Sequence, residues 1–274
     1  MSFANSLGLR LSAPAGMNRP HLGFSILAAI VAFACLVPLL HGGDIASQNL
    51  MKTLAAPTLA EPLGTDHLGR SMIVRLAAAV RLSLGLAFLS VASAVVPGVL
   101  IGILGGWYGG FVDRAFVTLA DSVLALPGLL LVLILSAIAP GNFWALYVGI
   151  SLVLWIEYYR VVRAHTQTLV ASPEIQSSRL LGFGMGYCVR RHILPEVIPM
   201  VLTMGAFGAA SAIMAISALG FVNVGVRPPT AELGLMMTEL FPYFDEAPLI
   251  MLQPIGMVFL LVLGLNLIAG SDPK

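Results

Sequence analysis

The chain has 274 residues, 58% of them hydrophobic and only 10% charged, with a mean hydropathy of +0.96 and a formal net charge of +1. A soluble domain carries about 25% charged residues, so a water-facing globule of this size is excluded, and the near-neutral balance implies no nucleic-acid partner. The two cysteines, Cys35 in an apolar run and Cys188 in a polar loop, set up no disulfide framework.

Residues 1–21 read as a cytoplasmic N-terminal segment, and 22–274 as one transmembrane domain. A helix crossing the hydrocarbon needs about 20 apolar residues. The first such run, Leu22 to Leu40, follows Arg10 and Arg19 and reads as an uncleaved span. Arg70, Arg75 and Arg81 come next, interleaved with Ile73, Leu76, Ala77 and Val80. That spacing predicts a short amphipathic helix lying at the outer headgroups. Five more spans follow: Leu82 to Leu104, Ala115 to Ala139, Trp144 to Tyr159, Val197 to Phe221 and Leu249 to Ala269. Pro97, Pro127 and Pro254 fall inside spans two, three and six, where each removes a helix hydrogen bond and predicts a kink. Gly205, Gly208, Ala209, Ala212 and Ala215 in span five leave room for a closely packed partner helix.

Charge bias sets the orientation. With both termini cytoplasmic, the inner segments hold Arg10, Arg19, Arg114, Arg160, Arg163, Arg179, Arg190, Arg191 and Lys274, which is nine of the 14 Lys and Arg. Lys52, Arg70, Arg75, Arg81 and Arg227 fall outside. Asp113, Asp121 and Glu157 lie in or beside spans three and four, where Arg114, Arg160 and Arg163 offer them ion-pair partners.

The inner loop 160–195 is long for a connection and carries helix signals of its own. Ser172 is a good N-cap, Pro173 fits the first helical position and Glu174 suits the helix dipole. Gly182 ends that helix with positive φ, and Gly184 and Gly186 permit a bend. A second stretch, Tyr187 to Leu194, is expected to stop at Pro195 and Pro199. Its shape fits a surface helical hairpin, and equally a rigid knob through which a separate motor acts on the spans.

The loop resembles the EAA loop of the permease subunits of bacterial ABC importers. Gln176-Ser177-Ser178 stands at the Glu-Ala-Ala triplet, Gly182 at its glycine, and Arg191-His192-Ile193-Leu194-Pro195 at its closing Leu-Pro. Gly64-Thr65-Asp66-His67-Leu68-Gly69-Arg70 resembles the GTDxLGRD signature of the dipeptide, oligopeptide and nickel branch. Leu124 to Leu130 is similar to its LALPxLL stretch, and Leu219 to Thr230 with Glu232-Leu233-Gly234 to its LSFLGLGVxPPTPxWG stretch. The match runs from about Gly64 to Asn266.

The resemblance implies an all-α membrane protein with six transmembrane helices and a cytoplasmic coupling helix loop, the second (C-type) permease of a type I importer in the inner (plasma) membrane, with membrane lipid around it. A second homologous permease, two nucleotide-binding ATPase subunits carrying ATP and Mg, and an extracytoplasmic solute-binding protein would complete the machine. The coupling residues implied are Ser172, Glu174, Gln176, Ser177, Ser178, Arg179, Gly182, Gly184, Arg190, Arg191, His192 and Pro195. The implied cargo is a peptide, nickel or a metal–chelator complex. The outer loops would receive the binding protein, with Asp66, Arg70, Arg227 and Glu232 as contacts, and Met200, Met204 and Met214 of span five are candidate path-lining residues.

No P-loop occurs, so ATP hydrolysis is expected on other polypeptides. No nucleophile–base set or metal-ligand spacing of the histidines stands out, and catalytic and metal sites are both expected to be absent. The rival reading is a secondary transporter or channel acting without an ATPase.

Overall fold

A computed structural model describes residues 19–42 and 44–270. Arg10, Lys274 and most of the expected N-terminal segment lie outside the described residues. Ten α-helices are laid out among them: α1 (Arg19–His41), α2 (Met72–Tyr108), α3 (Gly110–Val123), α4 (Gly128–Ile138), α5 (Phe143–Val170), α6 (Pro173–Leu180), α7 (Met185–Cys188), α8 (Leu194–Phe221), α9 (Leu233–Leu240) and α10 (Pro248–Ala269). Five helical segments are long and apolar enough to cross a membrane, and α3 with α4 form a sixth span bent by 69°.

The six predicted spans are present, with three changes. The third is broken, because Pro127 starts α4 and holds the residue before it out of the helical region. The fourth runs eleven residues past Tyr159, so α5 reaches from a cap on the side that the charge bias assigns to the outside, where the Asn142 side chain accepts from the Trp144 N–H at 2.9 Å, directly into the loop it assigns to the inside; inner and outer follow that assignment. The fifth does not stop at Pro195 or Pro199. Helix is continuous from Met185 to Phe221, and a π-helical turn at Val189–Ile193 precedes Pro195. The wider turn gives the proline ring space that a regular α-turn denies it.

The amphipathic helix expected at the headgroups does not lie on a surface. Its residues are the first turns of α2, whose 37 residues span about 55 Å at 1.5 Å each, well beyond the roughly 30 Å of hydrocarbon. Arg75, Ile73, Leu76, Ala77 and Val80 are all buried, and of the three arginines only Arg81 is exposed. A helix end with arginines at apolar spacing looks interfacial when its neighbours in sequence are the only ones considered. Here distant elements cover it.

The centre of the bundle is the α2–α5 contact. Gly98, Gly102 and Gly106 recur every four residues along one stripe of α2 and let its backbone meet α5 directly. A Cβ on Gly98 would lie 2.6 Å from the Tyr158 Cβ, one on Gly102 2.9 Å from the Val162 Cβ, and one on Gly106 2.6 Å from the Thr166 Cβ. This is the small-residue packing that substitutes for a hydrophobic driving force in lipid. The spacing is plain in the sequence, and span five carries a comparable run of small residues. There, Gly208, Ala209 and Ala212 are buried inside this chain, Gly208 against the Tyr158 hydroxyl.

Candidate functional site

At the inner end, α5 passes through Ala171 and Ser172 into α6. Pro173 occupies the first turn as expected, while the Ser172 hydroxyl does not accept a capping bond. Glu174 is fully exposed, and its own backbone N–H and the Ser172 hydroxyl hold its carboxyl below the usual range. The C-terminus of α6 closes as a Schellman motif: Gly182 has φ of +87°, its N–H donates to the Arg179 carbonyl at 3.0 Å, and the Phe183 N–H donates to the Ser178 carbonyl at 3.1 Å. Gly184, by contrast, has extended φ and serves only as the cap of α7.

The EAA-like triplet divides by facing. Ile175 and Ser178 point inward, and the Ser178 hydroxyl bonds both the Glu174 carbonyl at 2.9 Å and the His192 Nε2 at 3.1 Å. Ser178 is therefore a bolt between α6 and the π-turn rather than a docking contact. A larger side chain there would push the two apart. Gln176 donates from Nε2 to the Ala171 carbonyl at 3.1 Å, while Ser177, Arg190, Arg191 and Pro195 are exposed. The Arg179 guanidinium sits 5.4 Å over the Trp107 ring, tying the loop to the inner end of α2. Phe183 and Tyr187 stack at 4.2 Å. Leu180 and Leu181 stand 90% and 77% exposed. Leucines this open at a capped helix end form an apolar knob left uncovered by the described residues.

Behind the knob, two ion pairs join α3 to α5. Arg163 binds Asp113 through both Nε and Nη2, and Arg160 Nη2 reaches Asp121 at 2.6 Å. These partners were expected from the sequence. Glu157, the third acid, has no ion pair or hydrogen bond among the described residues and is exposed on α5.

The outer end is built differently. The Gly64–Arg70 signature folds into a clasp. Gly64 and Gly69 have φ of +77° and +71°, and a Cβ on Gly69 would collide with the Asn49 carbonyl. Asp66 is 1% exposed and accepts from the Leu68 and Arg70 backbone N–H groups, from Arg70 Nε at 2.5 Å and from Arg75. Burial alone would raise its pKa; the Arg70 N–H, the Arg75 charge and the Arg70 side chain outweigh that and lower it. Both arginines continue to Glu239 on α9, Arg70 at 3.0 Å and Arg75 at 2.6 Å. His67 stacks on Tyr243 at 5.4 Å, and Gln253 of α10 donates to the Leu63 carbonyl at 2.9 Å.

Glu232 is 1% exposed and caps α9, accepting from the Gly234 and Leu235 N–H groups at 2.9 and 2.7 Å; burial pushes its carboxyl above the usual range despite those bonds. Gly220 and Gly234 leave the space that this cap and the adjoining α8 backbone occupy. Of the four residues expected to meet a binding protein, Asp66, Arg70 and Glu232 are thus internal, and only Arg227 is on the surface. Their signatures build the outer surface without being exposed on it.

The three methionines do not share a wall. Met200 and Met204 are half-buried against the core, whereas Met214 is exposed beside Val258, Phe259 and Val262 of α10. A different crevice, of about 100 Å³, opens between α4, α5 and α8, lined by Gly128, Leu129, Val132, Glu157, Ser211 and Ala215 among others.

A bundle of five helices long and apolar enough to span a membrane, six with the bent pair, carrying a capped knob at one end and a structured clasp at the other, is that of a polytopic membrane protein. Residues 98–271 match the family model described as "Binding-protein-dependent transport system inner membrane component", and the chain belongs to that family, the inner-membrane permease subunits of type I ABC importers. It is 31% identical over 269 residues to the di/tripeptide transport system permease protein DppC of Pseudomonas aeruginosa, covering 94% of this chain and 89% of that one. The dipeptide transport system permease protein DppC of Alkalihalophilus pseudofirmus is 29% identical, with 92% and 85% covered. The oligopeptide transport system permease protein OppC of Bacillus subtilis is 27% identical, again with 92% and 85% covered. A chain of the MetNI methionine ABC transporter in inward-facing conformations shares the fold, with a TM-score of 0.56, 19% identity, and 70% of this chain and 91% of that one covered.

Proposed function

We propose that this chain forms half of the translocation pathway of an ATP-driven peptide importer, with both termini cytoplasmic and loop 160–195 as the contact through which ATPase subunits drive it. A second homologous permease supplies the other half, two ATPase subunits hold ATP and Mg, and an extracytoplasmic binding protein delivers cargo to the outer face around Arg227. The peptide assignment rests on the functions of the relatives; nickel and metal–chelator complexes are the wider cargo set that the sequence resemblance allows. The observation that carries the coupling role is the knob itself: Leu180 and Leu181 stand open on a helix bolted to the bundle at Ile175 and Ser178. Two adjacent open leucines on a rigid mount make an apolar contact surface of the kind a partner subunit covers.

Closure of the ATPases would press on this mount, and α5 and α8, continuous with it at either end, would carry the displacement into the spans as rigid bodies. The test is co-purification with the ATPase subunits, together with ATP-dependent uptake of alanyl-alanine into proteoliposomes holding the whole complex. Gly182→Arg is expected to abolish uptake while leaving the folded chain in the membrane. Uptake by this chain alone, without ATP, would instead support the channel or secondary-transporter reading.

A further inference from the structure

Glu157 is the one acid of the α3–α5 inner region left without a partner among the described residues. The bases nearest in sequence are spoken for: Arg160 by Asp121 and Arg163 by Asp113. Its position along α5 is informative. It lies fifteen residues beyond the Asn142 cap, about 22 Å at 1.5 Å per residue, so it falls in the inner half of a hydrocarbon layer about 30 Å thick.

A carboxylate on an exposed helix face at that depth cannot face lipid chains without a large penalty, so that face of α5 opens on water or protein. The crevice beside it agrees. Its wall combines Glu157 and Ser211 with Gly128, Ala212 and Ala215, and small side chains leave the carboxylate accessible. At about 100 Å³ the space takes an amino head group with its first carbons and not a whole dipeptide.

We infer that Glu157, in the α4–α5–α8 crevice, is a pathway subsite for a cationic group, the free α-ammonium of a peptide in transit. This rests on the reading of the chain as half of a peptide pathway. An ammonium passing the site meets one negative charge in a low-dielectric, mostly apolar wall, where attraction is strong. Among the described residues no base competes for the carboxylate, so each cargo molecule can occupy it and leave.

The experiment uses the complete complex in proteoliposomes, with alanyl-alanine as the probe. Glu157→Gln, which keeps shape and removes charge, is expected to lower ATP-driven uptake about tenfold. Glu157→Asp is expected to recover at least half of the wild-type rate, and Glu157→Lys to be no better than the Gln variant. Co-purification of the other subunits at wild-type yield reports that each variant assembles. Uptake by the Gln variant equal to wild type overturns the inference, as does loss of subunit assembly in that variant, which would make Glu157 an ion-pair partner of the second permease. Absence of ATP-driven alanyl-alanine uptake by the wild type would instead sink the peptide-importer reading itself.

Discussion

The outer and inner ends of this bundle solve the same problem, holding a long connection against the spans, with opposite chemistry. Outside, the clasp around Asp66 is tied by buried charge, with two arginines bridging two carboxylates, Asp66 and Glu239, that are far apart in sequence. Inside, the α6 knob is held by one aliphatic side chain, one serine–histidine bond and one exposed cation–π contact, and its apolar tip is open. A buried charge network tolerates almost no rearrangement, because every displaced member leaves an uncompensated ion. A mount of small contacts can rock. The difference teaches that the clasp end is built to hold one arrangement, whereas the knob end is mounted on contacts that can shift, as the proposed coupling role requires.

Substitutions can break that comparison, and the largest effect is expected at the clasp. Arg75→Met leaves Arg70 as the one cation between the Asp66 and Glu239 carboxylates and should cost about 3–5 kcal/mol, read as a fall in the melting temperature of the detergent-solubilised chain. At the knob, Gly182→Val places a β-branched residue at φ of +87° and should cost about 1–2 kcal/mol in the same melt, while abolishing transport out of proportion to that small loss. Ser178→Ala removes the bolt to His192 for about 1 kcal/mol, and hydrogen exchange of α6 amides should accelerate while clasp amides stay protected. Arg179→Ala should be smallest, about 0.5 kcal/mol, because its cation–π contact is exposed.

Acid sharpens the contrast. Asp66 has its pKa lowered on folding, so its contribution is fully present above its ordinary value of 3.8 and is lost as pH falls through the lower folded value. Clasp amides should therefore keep their protection down to pH 3.8 and open below it. Protection that falls at pH 5 would show that another group controls the clasp.

The inner end was the more legible in sequence because its signals are local. Pro173 and Gly182 act through their own backbone preferences, and both stand where that chemistry places them. The outer end was misread because its meaning is not local. Arg70 and Arg75 acquire their role from Glu239, and no spacing rule connects them. Without that partner, arginines among Ile73, Leu76 and Val80 have the pattern of a headgroup helix. Asp66 and Glu232 fall in loops that the resemblance assigns to binding-protein docking, and nothing in the local sequence shows that Asp66 is consumed by Arg70 and Arg75 and Glu232 in capping α9. The π-turn before Pro195 left no sequence signal beyond the proline, which ordinarily ends a helix.

The glycine stripe on α2 carries a mechanical consequence. Where side chains separate two helices, a push on one is partly absorbed as rotamers adjust. Gly98, Gly102 and Gly106 remove that cushion, so α2 and α5 mesh like two racks with no play between the teeth. Because α2 begins in the clasp and α5 ends in the knob, the pair forms one stiff strut from the outer face to the inner. A displacement of α5 is therefore passed to α2 through backbone contact instead of through adjustable side chains.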